Sequence, residues 1–253
     1  MLNQLHFGND SALPSLLIAH GLFGSARNWG AMARRLATDR RVVTVDMRNH
    51  ADSFWSDDHS YAAMADDLAQ VISANGAPMD VLGHSMGGKA AMLLALGHGS
   101  LVNRLVIADI APVAYGHSLN HLVDAMQGLD LAGLTSRTEA DRRLAKAVPD
   151  SGTRAFLLQS LDLRATPPRW RLNLDVLKAA MPAITGWPDT HGQYVGPCLF
   201  LSGAQSTYVK SEDRAAIKQL FPTAKFAKIP DAGHWLHADK PREFEAAVRA
   251  CLT

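Results

Sequence analysis

The chain has 253 residues, of which 47% are hydrophobic and 19% charged, and its formal net charge at neutral pH is +1. This composition is that of an ordinary globular protein. The small net charge gives no electrostatic basis for binding nucleic acid or an anionic membrane surface, so we expect neither as a partner. No apolar run approaches the roughly 18 to 20 residues needed to cross a bilayer.

The cysteines and the N-terminal residues bear on the compartment. Cys198 lies in an apolar run and Cys251 lies on an amphipathic pattern, so neither looks like part of a disulfide framework or a metal cluster. Two buried, unpaired thiols suit a reducing compartment. The first residues lack the basic-then-apolar order of a secretory signal. We therefore expect a cytoplasmic protein.

Strand and helix patterns alternate through the first half of the chain. Apolar runs without polar alternation predict buried strands over 16–19, 42–45, 79–82 and 105–108. Apolar residues at helical spacing predict helices over 29–36, 61–72 and 89–96. Buried strands separated by helices indicate a mostly parallel sheet with helices on both faces.

The alternation stops after Ile110. Strand signals are scarce up to about residue 196, and apolar faces predict helices around 119–126, 140–148 (opened by Thr138), 156–160 and 176–180 (ended by Pro182). The alternation then resumes with strands over 198–201 and 225–229 and helices over 211–220 and 244–251. We predict an α/β core made of residues 1–111 and 197–253, interrupted by a helical cap over 112–196.

The position of this cap favours a role at a ligand site. Open parallel sheets bind ligands beyond the carboxyl ends of their strands, and the predicted cap follows such an end. We therefore expect a lid over the site, with structural padding as the alternative.

The sequence Gly-His-Ser-Met-Gly-Gly occupies residues 83–88, after a predicted strand and before a predicted helix. This is the nucleophile-elbow pattern, in which a serine sits on a tight strand-to-helix turn. The N–H groups at the start of a helix favour a developing negative charge. The motif alone is common by chance, but its strand and helix context makes Ser85 the candidate nucleophile.

A second motif, His-Gly-Leu-Phe-Gly at residues 20–24, follows the strand predicted over 16–19. Acyl-transfer enzymes need a second backbone N–H to help hold the oxyanion. We predict that the backbone amides of Leu22 and Met86 form this oxyanion hole. The side chain of His20 is expected to be structural.

A histidine suited to act as general base follows the last predicted strand. The sequence Asp-Ala-Gly-His-Trp occupies residues 231–235, so His234 can reach a serine at the carboxyl edge of the sheet. It also comes last in the chain order of nucleophile, acid and histidine. A surface-loop histidine is the alternative, and His237 fits the place less well.

Together these motifs, with Asp-Met-Arg-Asn-His at residues 46–50 and Asp-Ile-Ala-Pro at 109–112, resemble the α/β-hydrolase superfamily over nearly the whole chain. The closer resemblance is to its small serine esterases, which act on short-chain esters and acyl thioesters without a cofactor. One departure is Ala51, where such relatives more often have glycine. The resemblance implies an α/β-hydrolase fold with a helical cap, no cofactor and a small-molecule ester or thioester substrate.

The acid of the triad is the least obvious member. Its commonest place in this fold is the loop after the strand at 198–201, but that loop contains no carboxylate, and Ser206 stands where one is expected. A hydroxyl cannot stabilise the imidazolium that forms on the histidine. We therefore predict Asp109, at the end of the strand beside the nucleophile strand. Asp231 is the rival, and a strand-end cap is the alternative role for Asp109.

Other candidate residues have weaker support. The residues at 46–50 could touch substrate, but a loop-fixing network is the preferred interpretation. His117 and His121 have a spacing that could hold zinc, yet no third ligand is evident, so we expect no metal.

The sequence thus predicts a serine carboxylesterase that hydrolyses short-chain esters through an acyl-enzyme. A thioesterase, a carbon–carbon bond hydrolase or a perhydrolase would use the same residues. A non-catalytic binding or signalling protein of this fold is a further alternative.

Overall fold

The computed structural model describes residues 1–252, so Thr253, the last residue of the predicted core, lies outside the described residues. Its main feature is a seven-stranded sheet with the strand order β1-β3-β2-β4-β5-β8-β9. These strands are β1 (Gln4–Phe7), β2 (Leu16–Ala19), β3 (Val42–Val45), β4 (Met79–His84), β5 (Val102–Ala108), β8 (Cys198–Gly203) and β9 (Lys225–Ile229). A separate two-stranded sheet pairs β6 (Leu161–Asp162) with β7 (Arg169–Trp170).

Among residues 1–252, six α-helices lie in sequence outside residues 112–196: α1 (Gly30–Leu36), α2 (Tyr61–Asn75), α3 (Met86–Gly97), α9 (Asp213–Leu220), α10 (Leu236–Asp239) and α11 (Pro241–Leu252). Five lie within that range: α4 (Asn120–Gln127), α5 (Arg137–Leu144), α6 (Ser151–Leu157), α7 (Leu174–Ala179) and α8 (Met181–Thr185). We call residues 112–196 the insertion. Within residues 1–252, no helix is both long and apolar enough to cross a membrane.

Burial of both sheet faces explains why the central strands are apolar throughout. All four residues of β2 are buried, and successive side chains of a strand point to opposite faces. Leu17 and Ala19 pack in the cluster that includes α2 and α3, whereas Leu16 and Ile18 pack with α1 and α11. Apart from β1, which runs antiparallel to β3, neighbouring strands of this sheet are parallel. The predicted mostly parallel sheet with helices on both faces is confirmed.

Strand β1 and the start of helix α3 are among the core features that differ from the sequence prediction. Strand β1 was not predicted, because its residues are half-buried or exposed and form no continuous apolar run. Helix α3 begins at Met86 rather than at residue 89, so Gly87 and Gly88 lie inside its first turn. Glycine is a poor helix former, so two consecutive glycines at this point led to a predicted helix start that is too late.

Helices are the main regular elements of the insertion, as predicted, but their boundaries differ from the prediction. Helix α5 is capped by Ser136, whose Oγ accepts the N–H of Glu139 at 3.2 Å, and not by Thr138. Pro182 does not simply end a helix, because it lies in the first turn of α8, where its missing N–H costs nothing. The short β6–β7 pair was also missed, since two-residue strands carry no periodicity.

A buried lysine joins the two ends of the insertion to helix α3. Lys89 Nζ donates to the carbonyl oxygens of Val113 and Thr185 at 3.0 and 3.1 Å, and also to that of Gly186. The ammonium lies 4.7 Å from the ring centre of Tyr115. Burial lowers the pKa of Lys89 to about 7. Residues near both ends of the insertion therefore meet at one side chain of the core.

Candidate active site

The turn between β4 and α3 presents Ser85 in a strained conformation. Its backbone has φ 52° and ψ −120°, a region that residues other than glycine rarely adopt. Two hydrogen bonds hold this turn: the N–H of Ser85 donates to Ala108 O at 3.1 Å, and the N–H of Lys89 donates to Ser85 O at 3.0 Å. The serine is therefore fixed at the start of a helix, beside the end of β5.

Two glycines of the elbow are required by close packing. A Cβ on Gly87 would lie 2.4 Å from the carbonyl oxygen of His20, and a Cβ on Gly83 would lie 2.4 Å from that of Gly87. Both separations are too short for any side chain to fit. This packing brings the loop after β2 against the elbow, where a Cβ on Gly21 would lie 3.1 Å from Ser85 Cβ.

His234 links the serine to a buried carboxylate. Its Nε2 lies 3.1 Å from Ser85 Oγ, and its Nδ1 lies 2.8 Å from Asp109 Oδ2. Because a carboxylate oxygen can only accept, Nδ1 carries the proton, and Nε2 is left to accept from the serine hydroxyl. The three residues predicted from separate motifs are thus in direct contact.

Asp109 is fully buried and is held by three donors. Its Oδ1 accepts the N–H of Gly203 at 3.0 Å, and its Oδ2 accepts from both His234 and the hydroxyl of Ser206. Ser206, which stands where the sequence leads one to expect the acid, donates to the acid instead. These three hydrogen bonds fix the orientation of the carboxylate beside His234.

The backbone amides of Leu22 and Met86 have no hydrogen-bond partner within residues 1–252. The next amide, that of Phe23, donates instead to His50 Nε2 at 3.1 Å. Leu22 belongs to the loop that packs against the elbow, and Met86 is the first residue of α3. Two unpaired N–H groups beside a serine are what an oxyanion requires.

Neutral histidines hold the loop after β2 in place. His20 Nε2 accepts the N–H of Met47 at 2.9 Å, so its Nδ1–H donates to Gly21 O at 2.7 Å. Burial lowers the pKa of His20 to about 4 and that of His50 to about 3. Both rings therefore stay neutral near neutral pH, and His20 has the structural role that we expected.

Two aromatic neighbours of His234 were not singled out from the sequence. Tyr208 stacks on the imidazole, with ring centres 4.0 Å apart and planes inclined by 20°. His84 donates its Nε2–H to the carbonyl oxygen of His234 at 2.9 Å. Burial lowers the pKa of His84 well below its usual value. Tyr208 lies in the loop after β8, where the acid of the triad is commonly found, but no sequence signal reveals ring stacking.

A cavity of about 850 Å³ opens at Ser85 and His234. It runs between the core, which contributes Trp29 and Met32 among others, and the insertion, which contributes a mostly apolar wall that includes Leu119, Leu122, Val148 and Phe156. Cavities of this size accommodate drug-sized molecules and bury most of their surface.

Asp231, the rival acid, lies outside this arrangement. Its side chain is exposed and its Oδ2 lies 3.7 Å from Lys240 Nζ. Its backbone has φ 53°, so it shapes the turn before His234.

The other weaker candidates have local contacts of their own. His117 Nε2 lies 3.2 Å from the hydroxyl of Tyr208. Among residues 1–252, no cluster of three His, Cys, Asp or Glu side chains could hold a metal. Cys251, expected to be buried, is only partly so, while Cys198 is buried.

The residues at 46–50 form a hydrogen-bond and ion-pair network that braces loops. Arg48 pairs with Asp67 at 2.6 Å, and Asp46 accepts the N–H of Ala26 at 2.7 Å. Ala51 has φ 48°, so the loop keeps a conformation that suits glycine better, and its N–H donates to Arg171 O at 2.7 Å. The departure at Ala51 thus leaves the left-handed turn in place.

Residues 14–241 match the sequence family described as the alpha/beta hydrolase fold. This chain belongs to the α/β-hydrolase family. It is 42% identical over 252 residues to the sn-1-specific diacylglycerol lipase ABHD11 of Mus musculus, covering 96% of this chain and 82% of that protein. It is 36% identical over 240 residues to esterase YbfF of Escherichia coli, covering 94% of this chain and 92% of that protein.

A solved structure extends the comparison to three dimensions. A marine microorganism esterase superposes with a TM-score of 0.93 at 34% identity, and the match covers 98% of each chain. The predicted α/β-hydrolase fold is confirmed. As a member of this family whose relatives are named lipases and esterases, the chain is a carboxylic ester hydrolase that acts on small-molecule esters.

Proposed function

We propose that this α/β-hydrolase cleaves carboxylic esters by nucleophilic catalysis, with Ser85 as nucleophile, His234 as general base and Asp109 as the acid of the triad. The observation that carries the proposal is the continuous hydrogen-bond chain through these residues, at 3.1 and 2.8 Å. Nucleophile, base and orienting acid in this order are the elements that activate a serine.

In the acylation step, Ser85 Oγ attacks the ester carbonyl carbon while His234 Nε2 takes the hydroxyl proton. The C–O bond to the alcohol then breaks, and His234 returns the proton to the departing alkoxide. Asp109 stabilises the imidazolium that exists between these two transfers. The product is an alcohol and an acyl group bonded to Ser85.

Deacylation repeats the sequence with water as the nucleophile. His234 takes a proton from water, the hydroxide attacks the acyl carbon, and the carboxylic acid leaves as the serine recovers its proton. In both steps the amides of Leu22 and Met86 would hold the oxyanion. Each such donor is worth about 2.7 to 4 kcal/mol of transition-state stabilisation.

The insertion serves this chemistry as a cap in our proposal, with residues 1–111 and 197–253 forming the catalytic core. Support comes from Leu119 and Leu122 on or beside α4 and from Phe156 on α6, which line the cavity above Ser85. An acyl chain would be enclosed by these helices rather than lie in an open groove. We therefore propose that, among simple esters, short acyl chains are preferred.

A larger lipid ester is the second candidate substrate. The cavity of about 850 Å³ leaves room for one, and the relative at 42% identity is named a diacylglycerol lipase. This candidate uses the same triad and differs only in what fills the cavity.

A series of esters with graded acyl chains, from acetyl to palmitoyl, separates the two candidates. We expect kcat/KM to be highest for the short chains and to fall as the chain lengthens. A steady rise through to the palmitoyl ester would support the lipid substrate instead. The Ser85→Ala protein serves as the control, and undiminished hydrolysis by it would overturn the serine mechanism for either substrate.

A further inference from the structure

A second histidine lies on the core wall of the cavity, close to the triad. His237, on α10, stacks on Trp29 with ring centres 4.1 Å apart and planes inclined by 17°. The ring of His84 is a neighbour of both histidines, with its centre 5.0 Å from that of His237 and 4.8 Å from that of His234. His237 therefore lines the same cavity as Ser85 and His234, with His84 as a common neighbour of the two histidines.

Most polar groups on this wall already have partners. Arg35 pairs with Glu245 at 3.0 Å, Asp239 Oδ2 accepts the N–H of Gly233 at 2.8 Å, and Asn28 donates to Gln159. Their hydrogen-bonding capacity is at least partly used within the protein.

His237 differs from these groups. Its Nδ1 is buried and has no hydrogen-bond partner within residues 1–252, and its Nε2 has none there either. A polar ring edge that faces a cavity without a partner in the protein is a group that can orient a ligand.

The charge state of His237 follows from its surroundings. Burial and, second, the nearby His234 lower its pKa to about 3. The ring is therefore neutral near neutral pH and carries one N–H. An N–H enclosed without an acceptor is rarer than an enclosed lone pair, so the proton belongs on Nε2 rather than on the buried Nδ1. Because the ring lines the cavity and Nδ1 is closed off, Nε2–H is the edge open to a ligand.

We infer that His237 determines substrate specificity by donating its Nε2–H to a second oxygen of the substrate, beyond the ester group that is cleaved. This inference rests on the proposed function. The substrate class is an ester that carries a hydroxyl, ether or further carbonyl oxygen near the scissile carbonyl. That oxygen can belong to the alcohol side or to the acyl side, and the experiment below separates the two.

The test uses two pairs of esters that differ by one oxygen. Ethylene glycol monobutyrate against propyl butyrate tests the alcohol side, and ethyl methoxyacetate against ethyl butyrate tests the acyl side. Each pair gives a ratio of kcat/KM values. His237→Phe keeps a ring to stack on Trp29 but removes the N–H. Comparing the ratio between the two proteins cancels the intrinsic reactivity of each ester.

We expect the ratio of one pair to fall about three- to tenfold in His237→Phe, the value of one neutral hydrogen bond. His98→Phe, which changes a histidine that pairs with Asp66 and does not line the cavity, should leave both ratios at their wild-type values. Unchanged ratios in His237→Phe, with measurable hydrolysis of the four esters, would overturn the specificity role and leave the proposed function standing. Failure of the wild-type protein to hydrolyse any of them would overturn the proposed short-chain esterase activity and, with it, the specificity role.

A second measurement uses the wild-type protein, so it does not depend on whether a variant folds. Nitrogen-15 NMR of the wild-type protein distinguishes the two tautomers of a neutral histidine. We expect His237 to carry its proton on Nε2 at neutral pH. A proton on Nδ1, or a charged ring at that pH, would contradict the proposed donor.

Discussion

The core and the insertion make different contributions to one cavity. In the core, short loops at the carboxyl ends of β2, β4, β5 and β9 carry the groups proposed for the chemistry. The insertion contributes side chains such as Leu122 and Phe156, which bound the space above them. The contrast teaches that reactive groups are fixed by strand ends, whereas the size and shape of the substrate site depend on how separate helices pack.

The largest expected effect comes from a substitution among the groups that the core contributes to the cavity. In Asp109→Asn, the amide can no longer fix the tautomer of His234 or stabilise its imidazolium. We expect kcat to fall by about 10⁴-fold, as for the equivalent aspartate of a serine protease. Steady-state hydrolysis of a short-chain ester measures the fall.

Asp231→Asn is the matched control, because it removes a carboxylate from the loop of His234 without touching the triad. It should keep nearly the wild-type kcat. Near-full activity of Asp109→Asn together with collapse of Asp231→Asn would show that the acid has been assigned to the wrong residue.

Sequence motifs sufficed to predict that Ser85, His234 and Asp109 lie close together, because each follows the end of a strand in a parallel sheet. The roles of Ser206 and Tyr208 could not be predicted. Ser206 is a positioning partner of Asp109, and Tyr208 is a stacking partner of His234, and both contacts join distant parts of the chain. Such contacts depend on packing and leave no periodicity or motif.

A second prediction concerns the elbow that presents the serine. In Gly87→Ala, the new Cβ would meet His20 O at 2.4 Å and Ala19 O at 2.5 Å, both backbone atoms of a buried strand end and its loop. We expect a loss of about 3 kcal/mol in the free energy of unfolding, measured by urea denaturation.

The control for this substitution lies in the same helix. A Cβ on Gly97 would have no atom within 4 Å, so Gly97→Ala should be neutral or stabilise by up to about 1 kcal/mol. Equal effects of the two substitutions would mean that the close approach of β2 to α3 is not as tight as the geometry states.

The third prediction tests the contact that Lys89 makes between the core and the insertion. Burial lowers the pKa of Lys89 to about 7, against about 10.4 in an unfolded chain. Between these values the unfolded chain binds one more proton, so the stability of the wild-type protein rises with pH relative to Lys89→Met. From about pH 6 to about pH 9.5, the difference in unfolding free energy should move in favour of the wild type by about 3 kcal/mol.

Lys178→Met provides the comparison, because this lysine of the insertion is exposed and pairs with Asp124 at the surface. Its difference from the wild type, measured over the same pH range, is subtracted from that of Lys89→Met. A pH-independent difference for Lys89→Met would show that its ammonium is not held in a buried setting.

The insertion was also the region where sequence analysis predicted least. Its helices could be located by their apolar faces, but the cap residue of α5 and the start of α8 at Met181 were missed. Nothing in its sequence indicates that Val113, Thr185 and Gly186 meet at Lys89. That meeting point is set by tertiary packing between distant segments, which also decides the shape of the cavity.

The central claim is that Ser85 is the nucleophile, and covalent labelling tests it most directly. After treatment with a fluorophosphonate, mass spectrometry of the intact protein and of its peptides shows where the reagent is attached. We expect one adduct, on Ser85, which appears in step with the loss of ester hydrolysis and is absent from Ser85→Ala. Complete inactivation with the adduct on another residue, or with none, would contradict the account.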